Sequence, residues 1–396
     1  MSTIFKGIRK LLIFHCLRMY LRILSSCLET FGFGILFLYY LIKVPLIIIY
    51  INISLLLDDI FFPKYRQVKI EKPIFIVGHP RSGTTFMHII LTQTEDFLVF
   101  KNWDFNHPSL TSKKILQHSK WLQVLSLAID FRLTPHRLMK AIKNRKKEKG
   151  GIHHQKQKLE SITQEEEPLF LHILDTQFLP LVTPIGFVEE GYPELCFNDE
   201  QPHQEKSVLF LKNCFKRQIY YTGKKQIIAK LNFSLFRIKT ILKFFPDAKI
   251  IYISRSPLDT IPSHLSLHRR ILDRYFGLDN IPSDRLQLYY KHRYKYNLLF
   301  YRYFDDLMNN NEIPKDQILE ISYSSIKNDL WNVIQQMKSF TNLELRPELE
   351  DMLKKQDKEQ SSYERKHINL PLEAFNLTEE RIRSDFNFVF RRYGFK

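Results

Sequence analysis

The sequence predicts an α/β fold, a central parallel sheet covered by helices, with an apolar segment ahead of it. Three observations lead there. The runs KPIFIVG (72–78) and KIIYISR (249–255) are apolar stretches of strand length, the pattern of strands buried on both faces of a sheet, and QILEISY (317–323) reads as another strand. Between them lie stretches with apolar residues at helical spacing: FMHIILTQ after the first run, LFRIKTILKFF before the second, and the Tyr- and Leu-rich segment from Leu286 to Met308 before the third. Helices alternating with strands argue for parallel connections. From Thr30 to Leu57, finally, about 28 residues carry only one charge, Lys43, which is long enough to span a bilayer.

Taken in chain order, residues 1–29 form a basic segment in which Lys6, Arg9, Lys10, Arg18 and Arg22 face a single Glu29. Residues 30–57 are expected to be a transmembrane or membrane-anchoring segment. Pro45 and Lys43 near its centre are costly in a lipid-exposed helix and also fit a re-entrant or interfacial hairpin; a buried pair of globular helices is the third reading. If the segment crosses, the basic excess keeps the N-terminus in the cytosol. The remainder then faces a lumen, that of the Golgi or another secretory compartment. A polar connector, DDIFFPKYRQVKIE (58–71), leads into the domain expected over residues 70–396. Residues 140–166 are highly charged with a Gly-Gly break and read as an exposed loop or frayed helix.

At 396 residues the chain holds one large α/β domain with extensions or two smaller ones, and 44% hydrophobic residues with 12 Gly and 18 Pro indicate a folded protein. Its formal charge is +17, which suits anionic substrates or membrane surfaces. Enrichment in Ile, Lys, Asn, Phe and Tyr throughout gives a compositional source for that charge, so nucleic acid is not an expected partner. Cys16, Cys27, Cys196 and Cys214 form no CxxC pair and have no His at zinc-ligand spacing, so no metal site is expected. Cys196 and Cys214 are read as buried free thiols, or as a pair if the domain is lumenal.

The most informative stretch is Gly78-His79-Pro80-Arg81-Ser82-Gly83-Thr84-Thr85, set between a strand and a helical pattern. Such a loop aims consecutive backbone N–H groups and a helix N-terminus at an anion, and glycines let the backbone come close. The sheet is therefore expected to be P-loop-like. In a nucleotide triphosphatase the loop reads GxxxxGK[ST]; here Thr84 stands where the lysine belongs, and the positive charge has moved to Arg81. That disfavours ATP or GTP hydrolysis.

PIFIVGHPRSGTT resembles the 5′-phosphosulfate loop of the sulfotransferases, a strand followed by P-[RK]-S-G-T-T. Arg255-Ser256-Pro257-Leu258-Asp259 closes a second strand, and Ser263 follows Arg255 by eight residues, similar to that family's 3′-phosphate site. TQEEEPLF, KNCFKRQIYYTGKKQIIAK, LKFFPDAKIIYISRSPLD and NLTEERIRSDFNFVFRRYGF resemble the bacterial-type and tyrosylprotein-like branch in order and character. Two departures stand out. Lys230-Leu231-Asn232 replaces the usual K-S-P, and R-Y-E-D-L is reduced to Ser322-Tyr323-Ser324-Ser325-Ile326.

The resemblance implies an enzyme that moves a sulfuryl group from 3′-phosphoadenosine-5′-phosphosulfate (PAPS) to an acceptor hydroxyl on a lipid, glycan or other molecule, without a metal. Gly78 to Thr85 would hold the 5′ side of the donor, Arg255 and Ser263 its 3′-phosphate, and Arg81 and Lys230 the charge on the leaving phosphate. Asp104 is the expected general base, with His107, Glu166 and Glu167 as rivals. The bland readings are a turn for His107, a solvated helix start for Glu165 to Glu167, and a surface lysine for Lys230. A P-loop kinase or NTPase, and a catalytically inactive membrane-bound relative, are the alternative functions.

Overall fold

The computed structural model describes residues 2–94, 96–118, 134–145, 165–188, 198–360 and 368–395. Two long helices, α1 (Ser2–Phe31) and α2 (Ile35–Phe61), open the chain, followed by β1 (Ile74–Gly78) and α3 (Thr84–Leu91). Next come α4 (Asn102–Asn106), α5 (Leu110–Gln117), α6 (Pro135–Arg145) and α7 (Gln204–Thr222), then β2 (Ile228–Lys230), α8 (Ile238–Phe244) and β3 (Lys249–Ser254). The chain continues through α9 (Pro257–Tyr275), α10 (Ser283–Asn309), β4 (Ile318–Ser322), α11 (Leu330–Thr341) and α12 (Pro347–Gln360). Short helical turns fill the connections. These elements divide into two compact units: residues 1–69, 100–223 and 268–292 form one, and residues 70–99, 224–267 and 293–396 the other.

The second unit holds the sheet, whose strands run in the order β2-β1-β3-β4 and pair in parallel throughout. The three segments expected as strands are β1, β3 and β4. The fourth strand, β2, has only three residues, too few to show a period. Side chains alternate across the sheet because successive residues of a strand point to opposite faces. Ile74, Ile76, Ile251, Ile253 and Ile321 therefore meet α3, α11 and α12 in one cluster with Met87, Ile334 and Leu353. On the opposite face the Tyr252 ring stacks on Phe304 of α10 at 3.5 Å, and Phe75 meets Phe245 edge-on. Helices thus cover both faces, as the continuous apolar strands require.

In the first unit α1 folds back on α2, and the Tyr20 hydroxyl donates to the Leu41 carbonyl oxygen at 2.9 Å. The apolar stretch forms one helix through Pro45, from Ile35 to Phe61, with mean hydropathy 2.1 in its most apolar window. One face of α2 packs along its length: Tyr40, Val44, Ile47, Ile51, Ser54 and Asp58 are all buried, a spacing of three and four residues that keeps them on one side. They meet α5, α6 and the turn Glu167–Ile173. Asp58 fixes the end of the helix. Its carboxylate accepts four hydrogen bonds, from Ser109 Oγ, the N–H groups of Leu110 and Thr111, and Arg217 Nε, at 2.7 to 2.9 Å. The connector 58–71 is therefore in part a folded anchor.

Part of the charged stretch 140–166 belongs to α6, while residues 146–164 lie outside the described residues, as does Cys196. Cys214 is buried, and burial pushes its thiol up to about 12.

Candidate active site

Each strand of the sheet ends at a residue that the sequence singles out or places beside one that it does. In an open parallel sheet the carboxyl ends of the strands border the ligand crevice. β1 ends at Gly78, β2 at Lys230, β3 before Arg255 and β4 before Tyr323. Gly78 is required by close approach, since a Cβ there would sit 2.7 Å from the Ile253 carbonyl oxygen. The loop then closes on itself, with both the N–H and Oγ of Ser82 donating to the His79 carbonyl oxygen, at 3.0 and 2.7 Å.

Arg81 adopts φ 81°, a region that side chains other than glycine seldom occupy and that marks a constrained position. Gly83, at φ 96°, supplies the second reversal, and any Cβ there would run into the Tyr323 ring at 2.9 Å. α3 starts at Thr84, and its first intrahelical bond runs from the Met87 N–H to the Gly83 oxygen. The N–H groups of Thr84, Thr85 and Phe86 thus precede any intrahelical acceptor, the arrangement that favours an anion. His79 does something else. Its ring is buried, stacks on Tyr301 and shares Asn297 Oδ1 with His264, at 2.8 and 2.7 Å. Burial pushes it down to about 4, so it is neutral near pH 7 and braces the loop, to which it lends its backbone.

Three contacts tie the loop to the other strand ends. Arg81 Nε donates to Ser263 Oγ at 2.9 Å, Arg255 Nη1 donates to the Arg81 carbonyl oxygen at 3.1 Å, and Lys230 Nζ donates to Thr85 Oγ1 at 2.5 Å. Lys230 is buried at the sheet end, so the surface reading does not hold for it. Arg255 also lies over the Tyr323 ring at 3.8 Å and pairs with Asp259 at 3.3 Å. The Tyr301 hydroxyl donates to its carbonyl oxygen at 3.0 Å. Arg81, Lys230, Arg255 and Ser263, far apart in sequence, are one constellation in space. Tyr323 and Tyr301 complete it. The only sequence signal for Tyr323 is its survival in the reduced Ser322-Tyr323-Ser324-Ser325-Ile326 motif, and Tyr301 is hidden among many tyrosines.

The base candidates belong to the first unit. Asp104 lies in the first turn of α4, where its carboxylate accepts from the Lys101 N–H at 2.8 Å and from Gln218 Nε2 at 3.1 Å. Its other oxygen is 2.8 Å from Lys113 Nζ in a buried ion pair, and Lys113 also donates to Gln218. His107 is buried, with Nδ1 2.9 Å from the Tyr50 hydroxyl. Burial first, and then nearby His172 and Lys113, push it down to about 3. Glu166 and Glu167 are buried as well, which replaces the expectation of a solvated helix start.

One cluster had no sequence signal at all. His15, Asp175 and His203 bring their ligand atoms within 4.8 Å of one another, from three distant segments. The two imidazoles stack at 3.8 Å, and Asp175 already accepts from Asn198 and Ser207. This network knits α1 to the start of α7.

The second unit is thus a parallel α/β sheet with a phosphate-binding type of loop and converging basic side chains. The sulfotransferase family model matches residues 73–347, and the chain belongs to that family. Two curated relatives, the omega-hydroxy-beta-dihydromenaquinone-9 sulfotransferases Stf3 of Mycobacterium bovis and Mycobacterium tuberculosis, are each 29% identical over 222 residues, 54% of this chain and 50% of theirs. The chain matches about half the length of these relatives. Two solved structures share the fold. Sulfotransferase STF1 of M. tuberculosis superposes with TM-score 0.63 at 15% identity, covering 93% of this chain and 91% of its own. Sulfotransferase STF9 of Mycobacterium avium gives 0.61 at 16% identity, covering 87% and 82%.

Proposed function

We propose that this protein transfers a sulfuryl group from PAPS to an acceptor hydroxyl, and that the acceptor is a lipid. The observation that carries the reading is the convergence of Arg81, Lys230, Arg255 and Ser263 at the carboxyl ends of the strands, around the loop Gly78, His79, Pro80, Arg81, Ser82, Gly83, Thr84 and Thr85. The loop N–H groups and the start of α3 hold the 5′-phosphosulfate. Arg255, a fork of donors, and Ser263 hold the 3′-phosphate.

Sulfuryl transfer is in-line, and negative charge builds on the phosphate oxygen that leaves. Arg81 and Lys230 neutralise that charge, and their worth grows toward the transition state. The acceptor hydroxyl gives its proton to Asp104, with His107 as the rival, although the burial that keeps the His107 ring neutral also lowers its basicity. For Asp104 to act, its pairing with Lys113 must loosen. A lipid acceptor is supported by the relatives named for a hydroxylated menaquinone and by the apolar N-terminal helix. That helix also supports a membrane location; a lumenal orientation would follow only from a crossing helix, with the basic excess of residues 1–29 setting its direction. Titration of purified protein with 3′,5′-bisphosphoadenosine, adenosine 5′-phosphate and ATP with Mg²⁺ tests the donor site. The bisphosphate binds tightest if the reading is right, and preference for ATP with Mg²⁺ would hand the site to the kinase reading.

A further inference from the structure

α2 shows two opposite faces. Its buried face anchors it to the first unit from Tyr40 to Asp58. On the other side Leu38, Ile42, Leu46, Ile49, Ile53 and Ile60 are each 41 to 63% exposed. Their spacing of three, four and seven residues returns them to one line along the helix. Only 28% of the most apolar window is buried, whereas the core helix of a water-soluble protein is mostly buried. Lys43 is the only charged residue between Ile35 and Leu57, and it folds back over the Tyr39 ring at 4.8 Å.

The neighbouring α1 repeats the design with a polar border. Phe14, Leu17, Leu21 and Leu28 are 44 to 65% exposed on one flank. Arg18, Arg22 and Ser25 follow beside them and share with Phe14, Leu17 and Leu21 the lining of an open groove. An apolar stripe edged by arginines suits the boundary between acyl chains and anionic headgroups, where a guanidinium reaches the phosphates while its stem stays in apolar surroundings.

Crossing the bilayer conflicts with how α2 is held. A spanning helix immerses about 20 residues in hydrocarbon about 30 Å thick. Twenty residues of α2 cannot be immersed without α5, the turn Glu167–Ile173 and buried Ser54, whose carbonyl oxygen accepts from Ser109 Oγ at 3.0 Å. We propose that α1 and α2 form a sole that rests in one anionic leaflet, lying in the membrane plane without crossing it. The N-terminus and the rest of the chain then stay on one side, and Arg18 and Arg22 face lipid phosphates, so that no transmembrane orientation is set. This does not depend on sulfuryl transfer.

The full-length protein is tested by flotation with phosphatidylcholine vesicles with and without phosphatidylglycerol, and by nitroxide depth measurement at Leu38→Cys, Leu46→Cys, Ile53→Cys and Ile60→Cys, each corrected for label-treated parent protein. It should float with anionic vesicles. Leu46→Glu combined with Ile49→Glu should cut partitioning by about 10-fold or more, with an unchanged melting temperature because both side chains are exposed. Arg18→Glu with Arg22→Glu should weaken binding to anionic vesicles only. The four labels should sit at one shallow depth. A profile that is deepest near Leu46 and shallow at Leu38 and Ile60 would mean crossing and overturn the proposal. Failure to float, or a stable dimer that protects the same stripe in the absence of lipid, would overturn it too.

Discussion

Replacing Arg81 by alanine and by glycine separates its backbone cost from its chemistry. At φ 81° a side chain other than glycine is strained by about 1–3 kcal/mol. Arg81 also gains its hydrogen bond to Ser263 Oγ, worth about 1 kcal/mol. Arg81→Gly loses the bond and relieves the strain, so its stability should match or exceed the parent. Arg81→Ala loses the bond and keeps the strain, so it should be less stable than the glycine variant by roughly 1 kcal/mol or more. Turnover ignores this difference: both variants should fall by about 100- to 1,000-fold, because each lacks the charge aimed at the leaving phosphate. Urea denaturation and single-turnover transfer from labelled PAPS give the two readouts. Parent-like turnover in either variant would remove Arg81 from the chemistry, and equal stability of the two would refute the strain argument.

Arg255→Ala should weaken 3′,5′-bisphosphoadenosine by about 10- to 100-fold and Ser263→Ala by less, both leaving adenosine 5′-phosphate almost unchanged in calorimetric titration. Asp104→Asn leaves Lys113 buried without its counter-charge, which costs about 3–5 kcal/mol; adding Lys113→Met should restore the melting temperature, and if Asp104 is the base the double variant stays inactive. Recovery of turnover there would move the assignment to His107. His107 and His79 are held neutral, with values pushed to about 3 and about 4, while their unfolded forms protonate near 6.5. Protons therefore favour the unfolded chain: the contribution of His107 is intact above 6.5 and falls by roughly 1.4 kcal/mol per pH unit down to about 3. His107→Gln should flatten that slope in denaturation curves between pH 7 and 4.5.

The loop Gly78 to Thr85 and the basic residues around it are legible in the sequence because their signals are local. β1 and β3 are near-continuous apolar runs, β4 is a shorter one broken by Glu320, and the loop Gly78 to Thr85 is a contiguous string whose neighbours in space, Arg255 and Ser263, lie only eight residues apart. Elsewhere, meaning depends on partners that sequence does not place. Asp104 reads as a free carboxylate until Lys113 and Gln218, the latter more than a hundred residues away, are seen to hold it. Glu166 and Glu167 look solvated by composition yet are buried. α2 shows the same limit. Its apolar length announces a membrane, but the packed face that begins at Tyr40 and ends in the Asp58–Arg217 pair becomes visible only once the chain has folded.

The central claim is tested most directly by incubating the purified full-length protein with PAPS labelled in the sulfuryl group and a hydroxylated isoprenoid quinone in anionic vesicles. A labelled, organic-extractable lipid should form with one equivalent of 3′,5′-bisphosphoadenosine released, and Arg81→Gly should slow both by about 100- to 1,000-fold. Absence of labelled product with this and with total membrane lipid, glycan and peptide extracts would contradict the assignment.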